Sequence, residues 1–400
     1  MRKAVAALAL TACLAAGCAG QPEGAGDEDS GTPPPTPTAE ASAPRLSWTY
    51  EKIVDAPGEL HGLAVRAADD IWATGSEQHT GTPVRAHTYL LHHDGDRWRR
   101  SPMPAVLGDH VWDARLLSLG TGGLWLWGVS AAGNETRFAR WDGRTWHALP
   151  AGPRGIVTDT AVLGPEDVWV LGGEQEAWHW DGGRWSRTRL PHPASAIDGT
   201  SGEDVWAVGH RTSGPGIGGA GQETSQPAAA HWDGDSWTSV ATPRYRFPDP
   251  VPPEPGAALG SVLALAPDRV LAFGGHSFNH GEGGEEPEEE TIRLRWDGHR
   301  WHQEPAWPAD CQGRAPLARD ADRGLFLDGN RYVTTAGGCT RLTRPRLPST
   351  GGVTPQSQQS LWLEQVAPVP GSGEVLGAGH VQVNQSGNPM SKAVVVRVER

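Results

Sequence analysis

The side chains that could do chemistry fall into three groups. His210, His276 and His380 each follow a Gly that ends an apolar run, and His280 lies just beyond His276. Converging imidazoles can hold a divalent metal. These four fall in stretches that are not all neighbours, and His is tolerated at a polar strand exit, so no metal and no cofactor are predicted. The second group is the acidic run 282–290, broken by Gly and Pro. It has the oxygen ligands for calcium or for a basic partner, but it reads more simply as a solvated loop. The third is Arg244-Tyr245-Arg246-Phe247, a mix of charge and aromatics suited to a carbohydrate or peptide, or to packing a proline-rich link. The candidate binding residues are therefore His210, Tyr245, Arg246, Phe247, His276 and His280. No Gly-x-Ser-x-Gly elbow, His-Glu-x-x-His pair or phosphate-cradling loop occurs. No catalytic residue is assigned.

Two recurring phrases must position these residues. One reads Trp141-Asp142-Gly143-Arg144-Thr145-Trp146, then Trp180-Asp181-Gly182-Gly183-Arg184-Trp185, Trp232-Asp233-Gly234-Asp235-Ser236-Trp237 and Trp296-Asp297-Gly298-His299-Arg300-Trp301. His93-Asp94-Gly95-Asp96-Arg97-Trp98 is a degenerate copy. Asp-Gly suits a tight hairpin turn with left-handed backbone angles, and the flanking Trp rings then sit on paired strands. The other phrase lies upstream: Asp70-Ile71-Trp72 to Gly75, Asp167-Val168-Trp169 to Gly172, and Asp204-Val205-Trp206 to Gly209. Looser forms are Gly123-Leu124-Trp125 to Gly128, Val270-Leu271 to Gly274 after Arg269, Glu374-Val375-Leu376 to Gly379, and Tyr332-Val333-Thr334 to Gly337.

Each unit reads as four antiparallel strands, and repetition at about 40 to 60 residues marks a repeat fold. The predicted class is all-β: a single β-propeller of seven four-stranded blades. The N-terminal segment 48–54 is expected to pair with the C-terminal strand 393–398 and close the ring, removing open sheet edges. First-to-second and third-to-fourth turns are short and share one face. The long inserts, 76–87, 210–229, 243–257, 276–290 and 303–320, fall on the opposite face, where a rigid scaffold usually places binding.

The first residues have another grammar. Arg2 and Lys3 precede an apolar run and the ending Leu14-Ala15-Ala16-Gly17-Cys18. This predicts a signal peptide over 1–17, a Pro- and Gly-rich disordered tether over 18–45, and the propeller over 46–400. Two Cys remain after the leader, Cys311 and Cys339. An even pair outside the cytosol predicts a disulfide, here across the unit with the poorest repeat signal. A formal net charge of −13 argues against nucleic acid or an anionic membrane surface as partner.

The Leu14 to Cys18 ending resembles the bacterial lipobox, which implies a lipid on Cys18. Leu10-Thr11-Ala12-Cys13 also fits but leaves a short apolar core. The Asp-Val-Trp and Trp-Asp-Gly phrases resemble those of secreted actinobacterial propeller lipoproteins, loosely akin to kelch-type and Asp-box propellers. The resemblance covers about 46–400 and implies a monomer anchored by lipid on the outer face of the cytoplasmic membrane of a Gram-positive bacterium. The expected function is a non-catalytic binding or assembly module for a protein or polysaccharide of the cell envelope. The alternative is a carbohydrate-active enzyme or glycan-binding protein.

Overall fold

The computed structural model describes residues 45–77, 87–108, 111–120, 123–130, 135–173, 175–218, 222–249, 251, 253–278, 290–321, 323–385 and 389–400. Cys13, Cys18, the leader, the tether, His280 and most of the acidic run lie outside them. The regular elements are β-strands, with a few single 3-10 turns.

The Trp-Asp-Gly hairpins show how the repeat builds itself. Only the Gly takes a left-handed backbone: φ is +97° at Gly143, +91° at Gly182, +97° at Gly234 and +92° at Gly298. The Asp has a different part from the one expected. Its Oδ1 accepts the N–H groups two and three residues on, at 2.8 and 2.8 Å for Asp142 and 2.9 and 2.9 Å for Asp297. These bonds satisfy turn donors that face no other strand. They hold the Asp142 carboxyl well below its usual range, with the Thr145 N–H as the largest cause and His147 next.

The turn places the two flanking Trp opposite one another, as at Trp141↔Trp146 and Trp232↔Trp237. Each pair then clasps the second-strand Trp of the preceding sheet. Trp141 lies 5.4 Å from Trp72, Trp180 lies 5.7 Å from Trp125, Trp232 lies 5.0 Å from Trp169, and Trp296 lies 4.9 Å from Trp206, ring centre to ring centre. The clasped rings are all buried: Trp125, Trp169 and Trp206 are at most 1% exposed, and among the clasping rings Trp180 and Trp301 are buried too. Trp146 and Trp237 are only partly buried. Tilted and edge-on contacts of this kind add to the area burial of large rings.

The chain is a β-propeller. Its first strands lie side by side from sheet to sheet, which makes them the inner strands. Five four-stranded sheets stand alone, spanning 111–148, 157–189, 194–240, 256–303 and 316–341; they are called the first to fifth sheets below. This corrects the expectation of seven separate blades. The remaining strands form one seven-stranded sheet, because Ser47–Ala67 runs without a turn from one set of partners to another. Its first part pairs with Met390–Glu399, as at Trp48↔Val398 and Ile53↔Val394. Its second part pairs with Asp70–Glu77.

Two local expectations also change. The insert 210–229 is largely an extended hairpin: Asp204–Gly218 pairs with Gln222–Trp232 well past Gly209, through His210↔Pro227 and Arg211↔Gln226. In the fifth sheet Arg331–Thr334 is the third strand, not the second; Gly324–Leu327 precedes it. That sheet lacks a Trp pair. Its seam with the fourth sheet is filled by Phe273, Trp307, Leu327, Val333 and Cys311, and the disulfide Cys311–Cys339 is present, with a Cα–Cα distance of 6.1 Å.

Candidate functional site

Carboxylate–imidazole pairs, the usual currency of acid–base catalysis, occur on two hairpin turns, as Asp142–His147 at 2.7 Å and Asp297–His302 at 2.5 Å, and at three equivalent places on the strands. His92 Nε2 lies 3.0 Å from Asp70, His179 Nε2 lies 2.9 Å from Asp167, and His231 Nε2 lies 2.7 Å from Asp204. Each imidazole also stacks on the Trp two residues beyond its Asp, at 3.8, 4.5 and 4.4 Å between ring centres. Trp72 and Trp206 donate Nε1–H to the same carboxylates, at 2.7 and 3.2 Å. Repetition at equivalent positions and the buried Trp mark these groups as framework. They orient the ring that the next sheet's Trp pair clasps. Sequence reasoning missed them, though the signal was present. His precedes the turn phrase where the acid is present, at 92, 179 and 231, and Arg140 and Arg295 stand there where Gly123 and Arg269 replace the acid.

Two further carboxylates lie on inner strands. Asp159 Oδ2 accepts the Ile197 N–H of the next sheet at 2.8 Å, and Asp198 Oδ2 accepts the Ala264 N–H at 2.8 Å. Burial pushes the Asp159 carboxyl up to about 6, against the pull of its two N–H partners and with help from the Asp198 charge. Asp198 is raised for the same first reason. Both groups stitch neighbouring inner strands together.

Recesses lie on both faces. One of about 440 Å³ opens at the short turns of the fourth and fifth sheets, beside Leu265, Arg269, Ala321, Gly324 and Gly337, and others lie on the face of the second-to-third turns and inter-sheet links. One cleft of about 500 Å³ is lined by Gly274, His276, Phe278, Glu290, Gly313 and Arg314. A second, also about 500 Å³, is lined by Arg314, Asn330, Arg341, Arg344, Gln359 and Trp362, among others. Arg314 borders both. Such volumes suit a small ligand or a few units of a polymer.

The candidate residues named from sequence distribute unevenly here. His276 stacks on Tyr245 at 5.6 Å and lies 4.7 Å from Phe278. Tyr245 is itself a packing residue, 8% exposed. Its backbone N–H donates to Gln226 Oε1 at 2.8 Å and its hydroxyl to Glu290 at 2.8 Å. Burial and that carboxylate push its ionisation well above the ordinary range. Phe247 packs edge-on to Tyr245 at 5.1 Å, and Arg246 borders a shallow recess beside them. His210 sits apart in the third sheet, where its N–H donates to Pro193 O at 3.2 Å. Among the described residues no group of three metal-binding side chains gathers. Sequence reasoning did not single out Arg314, Arg341, Arg344, Arg346 or Trp362. They lie outside the turn phrases, in and around the fifth sheet and, for Trp362, on the strand Gln358–Pro368 beyond it.

No protein-family model matches the chain, and neither does any curated protein. Solved structures resemble it in outline. YCF48 bound to D1 peptide aligns over 89% of this chain and 97% of its own, with 11% identity and a TM-score of 0.47. An ancestral GH74 enzyme aligns over 85% of this chain but 48% of its own, with 12% identity and a TM-score of 0.45. The β-propeller domain of the Trilobed protease from Pyrococcus furiosus aligns over 84% and 97%, with 9% identity and a TM-score of 0.46. None of these likenesses bears on what the clefts hold.

Proposed function

We propose that this protein is a non-catalytic binding module of the cell envelope, with its ligand on the link face. It is held by a lipid on Cys18 to the outer side of the cytoplasmic membrane of a Gram-positive bacterium and works as a monomer. The observation that carries the binding role is the cleft at Trp362. An indole 45% exposed stands among four guanidinium groups, in a chain with 47 acidic and 34 basic residues. A protein of that balance has no electrostatic reason to collect Arg in one recess unless something anionic enters it. On the opposite face the Trp-Asp-Gly turns spend their aspartate oxygens on their own N–H groups, and the recess there gathers arginines, Arg269 and Arg319 among them, without an exposed aromatic ring.

The pairing of the N-terminal part of Ser47–Ala67 with Met390–Glu399 supports reading the seven-stranded sheet as two blades that share one strand. On that reading the ring has seven blades and both ends of the chain close it. The alternative function, an enzyme acting on envelope polysaccharide, needs two convergent ionisable groups free to reach a substrate. The three strand Asp–His pairs and the inner-strand Asp159 and Asp198 are engaged with the framework, and the Asp142–His147 and Asp297–His302 pairs sit on hairpin turns away from the link-face clefts, which favours binding.

Co-sedimentation of the full-length protein with purified cell-wall material tests the role. Arg314→Ala should weaken retention, and Arg144→Ala, on the turn face, should not. Equal loss in both variants, or in neither, would place the ligand elsewhere.

A further inference from the structure

We infer that the Trp362 cleft takes an acidic saccharide, a sugar chain bearing carboxylate groups; this rests on the binding-module reading above. Three features of the lining converge on that chemistry. The first is charge without compensation. Arg341, Arg344 and Arg346 have no carboxylate partner among the described residues. Arg344 donates to the Tyr50 hydroxyl at 3.1 Å and to Pro345 O at 3.0 Å, and Arg346 donates to Pro355 O at 3.1 Å and to Ser357 O. Neutral acceptors hold these side chains in place and leave their charge to act on a ligand. Arg341 also lies directly across the strands from Arg331. A like-charged pair at that spacing works against the sheet.

The second feature is the indole. Trp362 Nε1 donates to Gln382 Oε1 at 3.2 Å, which fixes a half-exposed ring at the cleft. A pinned aromatic face suits the C–H face of a pyranose and loses little entropy on contact. The third is a pair of buried amide atoms with no partner. Asn330 spends its Nδ2 on Leu361 O at 3.0 Å, and Gln359 spends its Oε1 on the Leu347 N–H at 2.9 Å. Asn330 Oδ1 and Gln359 Nε2 are left buried and unmatched, one acceptor and one donor, as sugar hydroxyls require. An acidic peptide would meet the same arginines. The lining offers it no apolar side-chain pocket, because Leu342 and Leu361 are buried in the core.

The test is titration calorimetry of the full-length protein with an oligogalacturonate. Its methyl ester, poly-glutamate and inorganic phosphate serve as comparison probes. The oligogalacturonate should bind, and methyl esterification should weaken it by about tenfold or more, a difference of about 1.4 kcal/mol. Trp362→Ala and Arg341→Gln, both exposed positions, should each weaken it by about tenfold with the melting temperature unchanged. Salt should weaken the charged probe and leave the ester indifferent. Equal binding of the ester, equal or better binding of poly-glutamate or phosphate, or an intact response in Trp362→Ala would overturn the assignment. If the oligogalacturonate does not bind while Arg314→Ala still abolishes cell-wall retention, the saccharide class falls and the binding module stands. If retention is also indifferent to Arg314, both fall.

Discussion

Truncating Asp204 to Ala should destabilise the propeller by about 3–4 kcal/mol, although the side chain contacts no ligand. Its Oδ1 accepts from Trp206 Nε1 at 3.2 Å and from His231 Nε2 at 2.7 Å, and its Oδ2 accepts from the Thr200 hydroxyl. Trp206 is 1% exposed, so its N–H would be stranded, at a cost of about 1–3 kcal/mol. The Thr200 and His231 donors are nearer water, and each should cost about 0.5–1 kcal/mol. Loss of the hinge between His231 and Trp206 would also loosen the ring clasped by Trp296 and Trp301. The assay is thermal and urea unfolding followed by near-ultraviolet circular dichroism. At about 2 °C per kcal/mol for a domain of this size, the melting point should fall by roughly 6–8 °C. Asp204→Asn should recover about half of the loss, since an amide oxygen can still accept one bond. Arg269→Ala, at the acid-free equivalent position in the fourth sheet, should change stability by less than about 0.5 kcal/mol. A folded Asp204→Ala protein that loses less than about 1 kcal/mol would refute the framework role and reopen the Asp204–His231 pair as chemistry.

The inner-strand carboxyls predict a dependence on pH. The folded Asp159 titrates near 6 against 3.8 for the free group, so its favourable contribution is fully present below about 4 and is lost as pH rises through about 6, by no more than about 3 kcal/mol. Urea midpoints should therefore fall between pH 4.5 and 7.5, and Asp159→Asn should flatten that slope; an unchanged slope would remove Asp159 as its source. Cys18→Ala should abolish lipid labelling and leave the protein unprocessed or released from membranes, whereas loss of labelling in Cys13→Ala alone would shift the lipid to Cys13. Deleting 48–54 should expose the edge of Met390–Glu399 and cause aggregation; a monomeric deletion variant with an unchanged melt would sink the closed-ring reading.

The sequence by itself determined whatever depends on near neighbours. A Gly that must be left-handed, an Asp whose side chain reaches the N–H groups two and three residues on and a Trp on either side are set within six residues, and they recur often enough to declare a propeller. The disulfide was legible for a similar reason: among the described residues Cys311 and Cys339 allow only one pairing. The Asp–Trp–His groups were half legible, because the His in front of the turn tracks the Asp upstream of it. Only packing shows that the His meets that Asp, and that at Asp70 and Asp204 the Trp shares the same carboxylate.

Tertiary structure alone decided the rest. Nothing in 47–67 signals that one strand serves two sets of partners, since the absence of a turn is visible only once both partners are in place. Tyr245 read two ways, as a binding aromatic or as packing for a proline-rich link, because its type and neighbours suit both; burial against Gln226 and Glu290 decided for packing. The cleft at Trp362 draws on the link before the fifth sheet, a turn within it, the link after it and the inner strand beyond. Each piece is unremarkable in sequence, and their charges become a site only where the fold brings them together, with Arg314 beside Asp328 at 3.8 Å and Arg341, Arg344 and Arg346 without a carboxylate partner among the described residues.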